Sequence, residues 1–597
     1  MNMKLGKRTR MMNFIDALIM VIKYSKLKCF CTIIINIVSP IVSFFSTTFM
    51  LRILLNGYKD IQNTGVLLCY ILIMFLISFL LSVAIEMYNM LLLPKCDYAF
   101  TKKIKLMIYK KSIEVDLANY ENPNTYAVQY RAATQGAEVI NITIATITDF
   151  ITVFVNILLS SWLIFEIDST LWIFIILPLL LNMINPIISR KLHQVKNEEN
   201  ELNRKTSYCE RVFYYSDFAK EMRLSNIHNV IFKYYRESTQ QFIKLLRSKG
   251  IGIITLMFAV TVATNVLSII GAETYIVYKT LSAGTILIGD CFVVLSSIGG
   301  VTYNLHNLGK VYSKYCDTSL FVKDLDEFMT QQSVIHNDDI KPKAKNGTIE
   351  FQNVCFTYPG KERVALENIN FCVNPGEKIA IIGQNGSGKT TLIKLLLRLY
   401  EPNLGEIKIS GKNIKNYEIL SYRELFGTVT QDYRYLALSV AENVLGRPFS
   451  ENDTKEVVSA LKLVGLWEKV KKLPKGIHTE VSKEFDENGI VFSGGEFQKL
   501  ALASIYAKNN DIVILDEPSS SLDPLAEQDM FKTMLTICDS KTVFFISHRV
   551  SSAMLADRII FMNDGKIAEM GSHKELIENH GLYERMYCAQ SDDYKND

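Results

Sequence analysis

Six long apolar stretches constrain most strongly how this chain of 597 residues can fold. Each has about the 20 residues that a helix needs to cross a bilayer, and the Gly, Ser and Thr residues that interrupt the last two are tolerated in membrane helices. The stretches are residues 29–51, 66–86, 143–166, 169–190, 251–275 and 285–305. The sequence therefore predicts an all-α transmembrane domain of six helices.

Lysine and arginine are distributed unevenly between the segments that flank these stretches. The long polar segments are rich in both, whereas the short connections hold only Lys59 and Lys279. The long segments are 1–28, 95–131 and 191–249, and the short connections are 56–64, 167–168 and 279–284. By the positive-inside rule, both termini are expected in the cytoplasm of a cell whose plasma or inner membrane holds the chain. The N-terminal segment lacks a cleavage site and is expected to remain attached.

The two long internal segments have helix-forming compositions and are expected to extend the membrane helices into the cytoplasm. Each would return through a short tip, DLANYENPN at 116–124 and YSDFAKEMRL at 215–224, because Asn and Pro end a helix. Solvated hairpins are the alternative unless the tips meet another domain. Ionisable residues near the span ends are candidates for a cargo role or for simple contact with water and headgroups. They are Glu86, Asp149, Glu273 and Asp290.

Charge and cysteine content exclude several other classes of function. A net charge of +4 gives no case for a nucleic-acid partner. The eleven cysteines are scattered, without a CxxC pair or regular spacing. Neither a zinc site nor a disulfide framework is therefore expected.

A glycine-rich loop follows a lysine-rich linker at 325–348. The run IAIIGQNGSGKTTLIKLLL reads as strand, loop and helix, and Gly383 to Thr390 fits G-x-x-x-x-G-K-[ST]. Backbone N–H groups and the helix dipole would hold phosphates, Lys389 would reach the β and γ phosphates, and the Thr390 hydroxyl would bind Mg²⁺. The predicted nucleotide-binding residues of the loop are Gly383, Gln384, Asn385, Gly386, Ser387, Gly388, Lys389, Thr390 and Thr391.

Two further apolar strands end in residues suited to phosphate chemistry. IVILDEP places Asp516 at a strand end, where it would hold Mg²⁺ through water, and Glu517 next to it as the base that takes a proton from attacking water. VFFISHR places His548 at the end of another strand. A lone histidine there is usually a capped polar group, but beside a phosphate site it would contact the γ phosphate.

Six motifs in order resemble the ATP-binding domain of ABC transporters over about 349–590. They are FTYPG, GQNGSGKTT, VTQDYRY, FSGGEFQK, ILDEPSSSLD and ISHR. With the apolar spans on the same chain, the whole sequence resembles a half-size ABC exporter, which implies a P-loop α/β ATP-binding domain with a helical subdomain. The predicted boundaries are a cytoplasmic segment at 1–28, a transmembrane domain at 29–324, the linker at 325–348, the ATP-binding domain at 349–590 and a tail at 591–597.

The resemblance gives a role to a glycine pair that is, by itself, more typical of a plain turn. In this family the serine and two glycines of VFSGGEFQKL close over the γ phosphate held by a second subunit, which implies that Ser493, Gly494 and Gly495 act in trans. Tyr358 would stack on adenine, and Gln431 would link Mg²⁺ and water to the membrane domain.

The same resemblance assigns contacts to three further positions. Asp523 would lie at the dimer contact, and the two tips would be coupling helices on the nucleotide domains, the first anchored by Tyr120. Two residues depart from the family pattern: Glu496 replaces the commonest glutamine and adds a negative charge near the phosphates, and Ser504 replaces an arginine.

The presence of every main catalytic residue implies that a homodimer would have two competent sites, although a heterodimer with a related half stays open. The fused spans exclude a soluble ABC protein, and an importer would keep its membrane domain on a separate chain. The stretch EVSKEFDENGIVFSGGEFQKLALAS looks like exporters of lantibiotics and other modified peptides. Hydrophobic drugs and lipids are the alternative cargo. Only 28 residues precede the first span and the first histidine is His193, so an N-terminal cysteine peptidase is not expected.

Overall fold

The structure is a computed structural model that divides into two compact units. The first unit comprises residues 1–114 and 123–331, and the second comprises 115–122 and 332–597. The residues that it describes are 10–57, 64–182, 184–281, 286–331, 333, 335, 340–342, 347–429, 434–516, 530, 533–534, 536–547, 553–554 and 556–593.

The regular elements of the first unit are all helical in its described residues. Its α-helices are Arg10–Tyr24, Lys26–Phe44, Met50–Gly57, Thr64–Met87, Leu93–Glu114, Pro123–Ile167, Ile173–Asn182, Asn185–Tyr214, Glu221–Leu224, Ile227–Leu245, Ile251–Asn265, Gly271–Leu281 and Ile288–Thr330. Short 3₁₀ turns lie at Ser169–Trp172 and Ser216–Phe218, and π-helical turns continue helices at Phe45–Phe49, Tyr88–Leu92, Leu246–Gly250 and Val266–Ile270.

Five continuous helical segments among these residues are long and apolar enough to cross a membrane. They are Lys26–Asn56, Gly65–Glu114, Asn141–Ile167, Ile227–Leu281 and Ile288–Thr330. The fourth predicted span, 169–190, contains only a shorter apolar helix, Ser169–Leu181, and a separate helix begins at Asn185. Pro186 lies in the first turn of that new helix, where its missing N–H group is not needed. The predicted count of six spans is therefore not confirmed.

Ion pairs hold two of the four ionisable residues predicted near the span ends. Arg52 Nε lies 2.8 Å from Asp290 Oδ1, and Arg52 also lies 3.0 Å from Glu166. Lys314 Nζ lies 2.7 Å from Asp149. The Asp290 side chain is 13% exposed, so the pair with Arg52 compensates the cost of burying its charge, whereas Asp149 and Lys314 are 43% and 49% exposed.

The second unit contains two β-sheets. A four-stranded antiparallel sheet has the order β2-β1-β4-β5, and a six-stranded sheet has the order β10-β9-β3-β8-β7-β6. In the larger sheet β9, β3, β8, β7 and β6 are parallel, and β10 is antiparallel to β9. The strands are β1 Ile349–Thr357, β2 Val364–Val373, β3 Lys378–Gly383, β4 Leu404–Ile409, β5 Lys412–Asn413, β6 Phe426–Val429, β7 Ile512–Asp516, β8 Thr542–Ser547, β9 Arg558–Asn563 and β10 Lys566–Gly571.

The central parallel strands are nearly continuous apolar runs because they are covered on both faces. Every residue of β7 and β8 is buried. Ile382 of β3 pairs with Ser547 of β8, and Asp516 of β7 pairs with Ile546. The carboxyl ends of these three strands therefore meet at one edge of the sheet, which is where ligands bind in open parallel sheets.

A group of helices lies between β6 and β7 in the chain and packs around its own apolar core. Val440, Val457, Leu461, Leu500 and Ala501 belong to this core. The α-helices of the second unit are Leu117–Glu121, Lys389–Leu396, Ile419–Arg423, Val440–Leu445, Thr454–Leu463, Trp467–Lys471, Gly494–Lys508, His573–Glu578 and Leu582–Asp593. Its 3₁₀ turns are Ile414–Asn416, Glu451–Asp453 and Gly476–His478.

Candidate nucleotide-binding site

The glycine loop that joins β3 to the helix Lys389–Leu396 is packed too closely for side chains at two positions. A Cβ atom at Gly383 would lie 2.2 Å from the Met562 carbonyl oxygen, and one at Gly388 would lie 2.7 Å from Leu366 Cδ2. Both glycines, and Gly386 between them, have positive φ angles of 153°, 103° and 81° respectively. Glycine is therefore required at both close approaches, and the loop leads into a helix whose N-terminal amides attract phosphates.

Lys389 lies across this loop. Its side chain donates hydrogen bonds from Nζ to the carbonyl oxygens of Gly383, at 2.8 Å, and Gln384, at 3.0 Å. The residue is only 7% exposed. Next to it, the Ser387 hydroxyl is buried and has no hydrogen-bond partner among the described residues. A buried hydroxyl and an ammonium held at a helix N-terminus are a donor set that fits phosphate oxygens.

A cavity of about 390 Å³ opens at the loop. Its described lining consists of Tyr358, Lys361, Arg363, Val364, Ala365, Asn385, Gly386, Gly388, Lys389, Thr390, Thr391, Asp516, Ile546, Asp564 and Gly565. The predicted Mg²⁺ ligands Thr390 and Asp516 thus face the same cavity as the predicted phosphate-binding loop. Hydroxyl and carboxylate oxygens are the donors that Mg²⁺ prefers, so these residues fit the ion.

Tyr358 is held rigidly at one side of this cavity. Its hydroxyl lies 3.0 Å from Thr391 Oγ1. Its ring meets the rings of Phe356 and Tyr400 edge to face, with centroids 5.0 and 5.2 Å away. A fixed aromatic ring beside a phosphate loop is suited to stack on a planar base. Adenine stacking remains a prediction for this residue.

The helix Gly494–Lys508 begins after Ser493 and carries Glu496 in its first turn. The backbone N–H of Ser493 donates to Glu496 Oε2 at 2.9 Å, and Lys469 Nζ lies 2.7 Å from each carboxylate oxygen. Partial burial raises the pKa of Glu496, but the hydrogen bonds from Lys469 and Ser493 outweigh it, so the net pKa is lowered. The charge that sequence analysis expected near the phosphates is therefore paired and used to cap the helix.

The start of this helix is not part of the described lining of the chain's own cavity. Ser493 and Gly494 are exposed, and Gly495 is half-buried. None of these three described residues lines the cavity at the glycine loop. The structure thus brings together Tyr358, the loop, Lys389 and Asp516, and it leaves the serine-glycine-glycine helix start outside that group.

One contact of the helix was not predicted from sequence. The ring of Tyr435 stacks on Phe497 with centroids 4.3 Å apart and planes 17° apart, and the Tyr435 hydroxyl donates to the Phe497 carbonyl oxygen. Tyr435 ends VTQDYRY and therefore joins the segment after Gln431 to the helix that Ser493 begins. The aromatic residues were visible in both motifs, but nothing in their spacing pairs them.

The first predicted tip belongs to the second unit. Leu117 and Ala118 of the helix Leu117–Glu121 pack against the apolar core of the nucleotide domain. Glu121 Oε1 lies 3.6 Å from Lys394 Nζ. Tyr120, the expected anchor, is 40% exposed, and its role as an anchor stays a prediction. This short segment, which we call the first tip, is thus in contact with the nucleotide domain of its own chain.

Four residues with predicted roles lie outside the described part of the structure. They are Gln431, Glu517, Asp523 and His548. Their roles stay predictions. Ser504, which replaces the family's arginine, is buried within the helix Gly494–Lys508.

Comparisons with known proteins place this site in a family context. The model of the ABC transporter family matches residues 366–520. The subtilin transport ATP-binding protein SpaT of Bacillus subtilis is 30% identical over 577 residues, which cover 94% of this chain and 91% of that protein. The nisin transport ATP-binding protein NisT of Lactococcus lactis subsp. lactis is 26% identical over 551 residues, which cover 89% and 90%.

Two further similarities have different implications. The ATP-dependent lipid A-core flippase of Haemophilus influenzae (strain 86-028NP) is 29% identical over 447 residues, covering 72% of this chain and 71% of that protein. A structure of a bacterial Atm1-family ABC exporter with ATP bound matches with a TM-score of 0.71 over 96% of this chain and 98% of that one. Its sequence is 21% identical, so this likeness concerns the fold alone.

The Glu496 cap generates a prediction about stability. Glu496→Gln keeps an acceptor for the Ser493 N–H group and loses only a partly exposed charge pair, so the free energy of unfolding should change by about 0.5 kcal/mol or less. Glu496→Ala removes the cap and should cost about 1 kcal/mol. Thermal unfolding of the detergent-solubilised chain measures both, and an equal loss in the two variants would contradict the capping role.

The same residue has a defined pH dependence. Because the folded protein lowers the pKa of Glu496, its stabilising contribution is complete above the unfolded glutamate pKa of about 4.3 and disappears as the pH falls through the folded pKa. The difference between the original chain and Glu496→Gln should therefore shrink in acid.

Proposed function

This chain belongs to the ABC transporter family, and we propose that it exports a peptide across the cell membrane as one half of a homodimer. Family membership makes it an ATP-hydrolysing transporter of the exporter type. Four parts of the proposal go beyond family membership. They are the peptide cargo, the second identical subunit, the bound Mg²⁺ and the cytoplasmic placement of the ATP-binding domain.

The observation that carries the dimer is the composition of the nucleotide cavity. Its described lining contains the glycine loop, Tyr358 and Asp516 but not Ser493, Gly494 or Gly495. Ser493 and Gly494 are instead exposed to solvent. A second copy would bring its own exposed helix start, with the N–H groups of its first turn and a positive dipole end, over the phosphates held by the first.

Each residue of the composite site has a distinct task in the proposed hydrolysis. Lys389 would bind the β and γ phosphates, and the oxygens of Thr390 and Asp516 would hold Mg²⁺ together with Gln431. The ion would neutralise charge on the phosphate oxygens. Glu517 accepts the proton of the attacking water, and His548 contacts the γ phosphate.

The tips supply a route from the nucleotide domains to the membrane helices. The first tip already contacts the nucleotide domain of its own chain through Leu117 and Ala118. The second tip, Tyr215–Leu224, belongs to the first unit, and Leu224 within it is 75% exposed. We assign it to the nucleotide domain of the second copy. Closure of the dimer on ATP would then move helices of both subunits and open the cargo path outward.

The peptide cargo rests on the relatives that match along most of their length. Two of them, named for subtilin transport and nisin transport, cover about nine tenths of both chains. A lipid or hydrophobic drug is the second candidate because a lipid A-core flippase matches about seven tenths of the chain at similar identity. The positive-inside distribution of Lys and Arg supports cytoplasmic termini. Outward transport is supported by the fusion of the apolar spans to the ATP-binding domain, since an importer of this family would keep its membrane domain on a separate chain.

A catalytic prediction concerns Glu517. Glu517→Gln retains the side-chain shape and loses the basicity, so ATP turnover should fall by about 10² to 10⁴ while ATP binding changes little. Phosphate release and nucleotide binding, measured on the same preparation, separate the two effects. Turnover close to that of the original chain would rule out Glu517 as the base.

The split site predicts recovery of activity in mixed dimers. A Lys389→Ala chain and a Ser493→Arg chain, each inactive alone, should together form a dimer in which one site carries both defects and the other carries neither. Differently tagged chains allow this mixed dimer to be purified and its ATPase measured. A dimer of one original chain and one Lys389→Ala, Ser493→Arg double mutant is the matched control, because each of its sites contains one defect. Recovery in the control but not in the mixed dimer would mean that loop and helix of one chain serve the same site.

Cargo class is tested by ATPase stimulation in lipid nanodiscs. Lanthionine-containing peptides should stimulate hydrolysis several-fold, whereas hydrophobic cations and lipopolysaccharide-type lipids should not. The Glu517→Gln variant controls for contaminating ATPases. Stimulation by lipids or cations, with none by peptides, would contradict the peptide cargo and favour export of a lipid or hydrophobic drug.

A further inference from the structure

Lys394 lies where the nucleotide site and the first tip come closest together. It is in the last turn of the helix Lys389–Leu396, which directly follows the glycine loop. Its Nζ atom lies 3.6 Å from Glu121 on the first tip. The same atom lies 5.4 Å from the ring centroid of Tyr358 and 5.7 Å from that of Tyr400. One ammonium group therefore contacts a carboxylate of the tip and the aromatic ring at the base side of the cavity.

We propose that Lys394 is a positioning residue through which occupancy of the base side of the nucleotide site and docking of the first tip influence each other. The inference rests on the proposed function in one respect, that Tyr358 stacks on adenine. It adds a coupling between the nucleotide and the first tip that does not involve the phosphates. In this coupling the base contacts Tyr358, the Tyr358 ring contacts Lys394, and Lys394 pairs with Glu121 of the tip.

The aromatic side of this coupling is held by fixed contacts. Tyr358 is bonded to Thr391 on the same helix as Lys394, and Phe356 and Tyr400 meet its ring edge to face. Burial first, and the neighbouring Glu121 carboxylate second, raise the pKa of the Tyr400 phenol. Tyr400 therefore stays neutral near pH 7 and offers Lys394 only its ring. Lys394, in contrast, is held on its other side by the ion pair with Glu121 of the first tip.

The Lys394 ammonium group interacts with both the Glu121 carboxylate and the Tyr358 ring, so a change at either partner affects the other. With the tip in place, Glu121 holds the ammonium near the Tyr358 ring, where the cation is attracted to the aromatic face. If the tip withdraws, the ammonium loses its carboxylate and a long flexible side chain is no longer held near that ring. By linkage, a base that binds better when Lys394 is in place must favour the docked tip by the same factor.

The expected effect is modest. The Lys394 and Glu121 side chains are 29% and 48% exposed, and exposed ion pairs contribute little. Leu117 and Ala118 also hold the tip by apolar packing that does not involve Lys394. Lys394 should therefore adjust nucleotide affinity by a few-fold, without being required for folding or for docking.

The test compares a ligand that has a base with one that lacks it. Binding of ADP and of inorganic pyrophosphate is measured on the full chain in nanodiscs for Lys394→Met, Glu121→Gln and the double variant. We expect each single variant to weaken ADP binding by about two- to five-fold and the double variant to be no weaker than Lys394→Met. Pyrophosphate binding and the unfolding temperature should not change in any of these variants. Lys394→Arg, which keeps the positive charge, should bind ADP as tightly as the original chain.

Two further variants make the outcome decisive. Lys408→Met removes the cation of another partly exposed pair of this unit, in which Nζ lies 2.7 Å from Glu406, and it should leave ADP binding unchanged. Tyr358→Ala should weaken ADP by more than any of the charge variants. If Tyr358→Ala weakens ADP and Lys394→Met does not, the positioning role is wrong and the stacking role stands.

Other results would overturn the inference in different ways. Equal loss of ADP and pyrophosphate binding would mean that Lys394 acts on the phosphate loop. Additive losses in the double variant would mean that Glu121 does not act through Lys394. An unchanged ADP affinity in Tyr358→Ala would remove the stacking role and the proposed coupling with it. None of these readouts uses cargo, so failure of the peptide proposal would be seen separately, in the stimulation assay.

Discussion

Close backbone packing at the glycine loop is the constraint on which the nucleotide domain depends. The loop lies against Met562 at the end of β9 and against Ala365 and Leu366 of β2, with no space for a Cβ atom at Gly383 or Gly388. This contact brings β2, an edge strand of the smaller sheet, close to the end of β9 in the larger sheet, at the point where the helix Lys389–Leu396 begins. The N-terminal amides of that helix, the Lys389 ammonium and the Asp516 carboxylate therefore face one cavity.

The same architecture separates the two halves of the catalytic apparatus. The helix that begins after Ser493 belongs to the helical group packed around Val440 and Leu500, and it lies outside the described lining of the cavity. The Tyr435 ring on Phe497 ties this helix to the segment that follows Gln431. Glu496, paired with Lys469, thus stabilises the start of this helix. The phosphates that the helix start is proposed to contact are bound by the second copy.

In the first unit, three carboxylates of the long apolar helices form ion pairs with basic side chains. Arg52 contacts both Glu166 and Asp290, and Lys314 contacts Asp149. These pairs join helices that are far apart in sequence, so each fixes the relative position of membrane helices as well as neutralising a carboxylate. The first tip extends this logic to the second unit, where Glu121 meets Lys394 on the very helix that begins at the phosphate loop. The Glu121 carboxylate of the first tip thereby reaches a cation near the base side of the site.

The sequence by itself determined the class of each unit and most of the residues around the phosphates. Apolar runs of bilayer length and the order of the six motifs are local properties, and Gly383, Lys389, Thr390 and Asp516 could be predicted because strand, loop and helix follow one another in the chain. The number of spans could not be fixed in this way, because the run at 169–190 is largely apolar, whereas the structure has a shorter apolar helix, Ser169–Leu181, and a separate helix that begins at Asn185. Only the tertiary structure decided that Lys469 neutralises Glu496, that Leu117 and Ala118 of the first tip pack against the apolar core, and that Lys394 lies between Glu121 and Tyr358. These pairings join residues that are distant in the chain and have no common period, so they arise from the packing of whole elements, which no local pattern encodes.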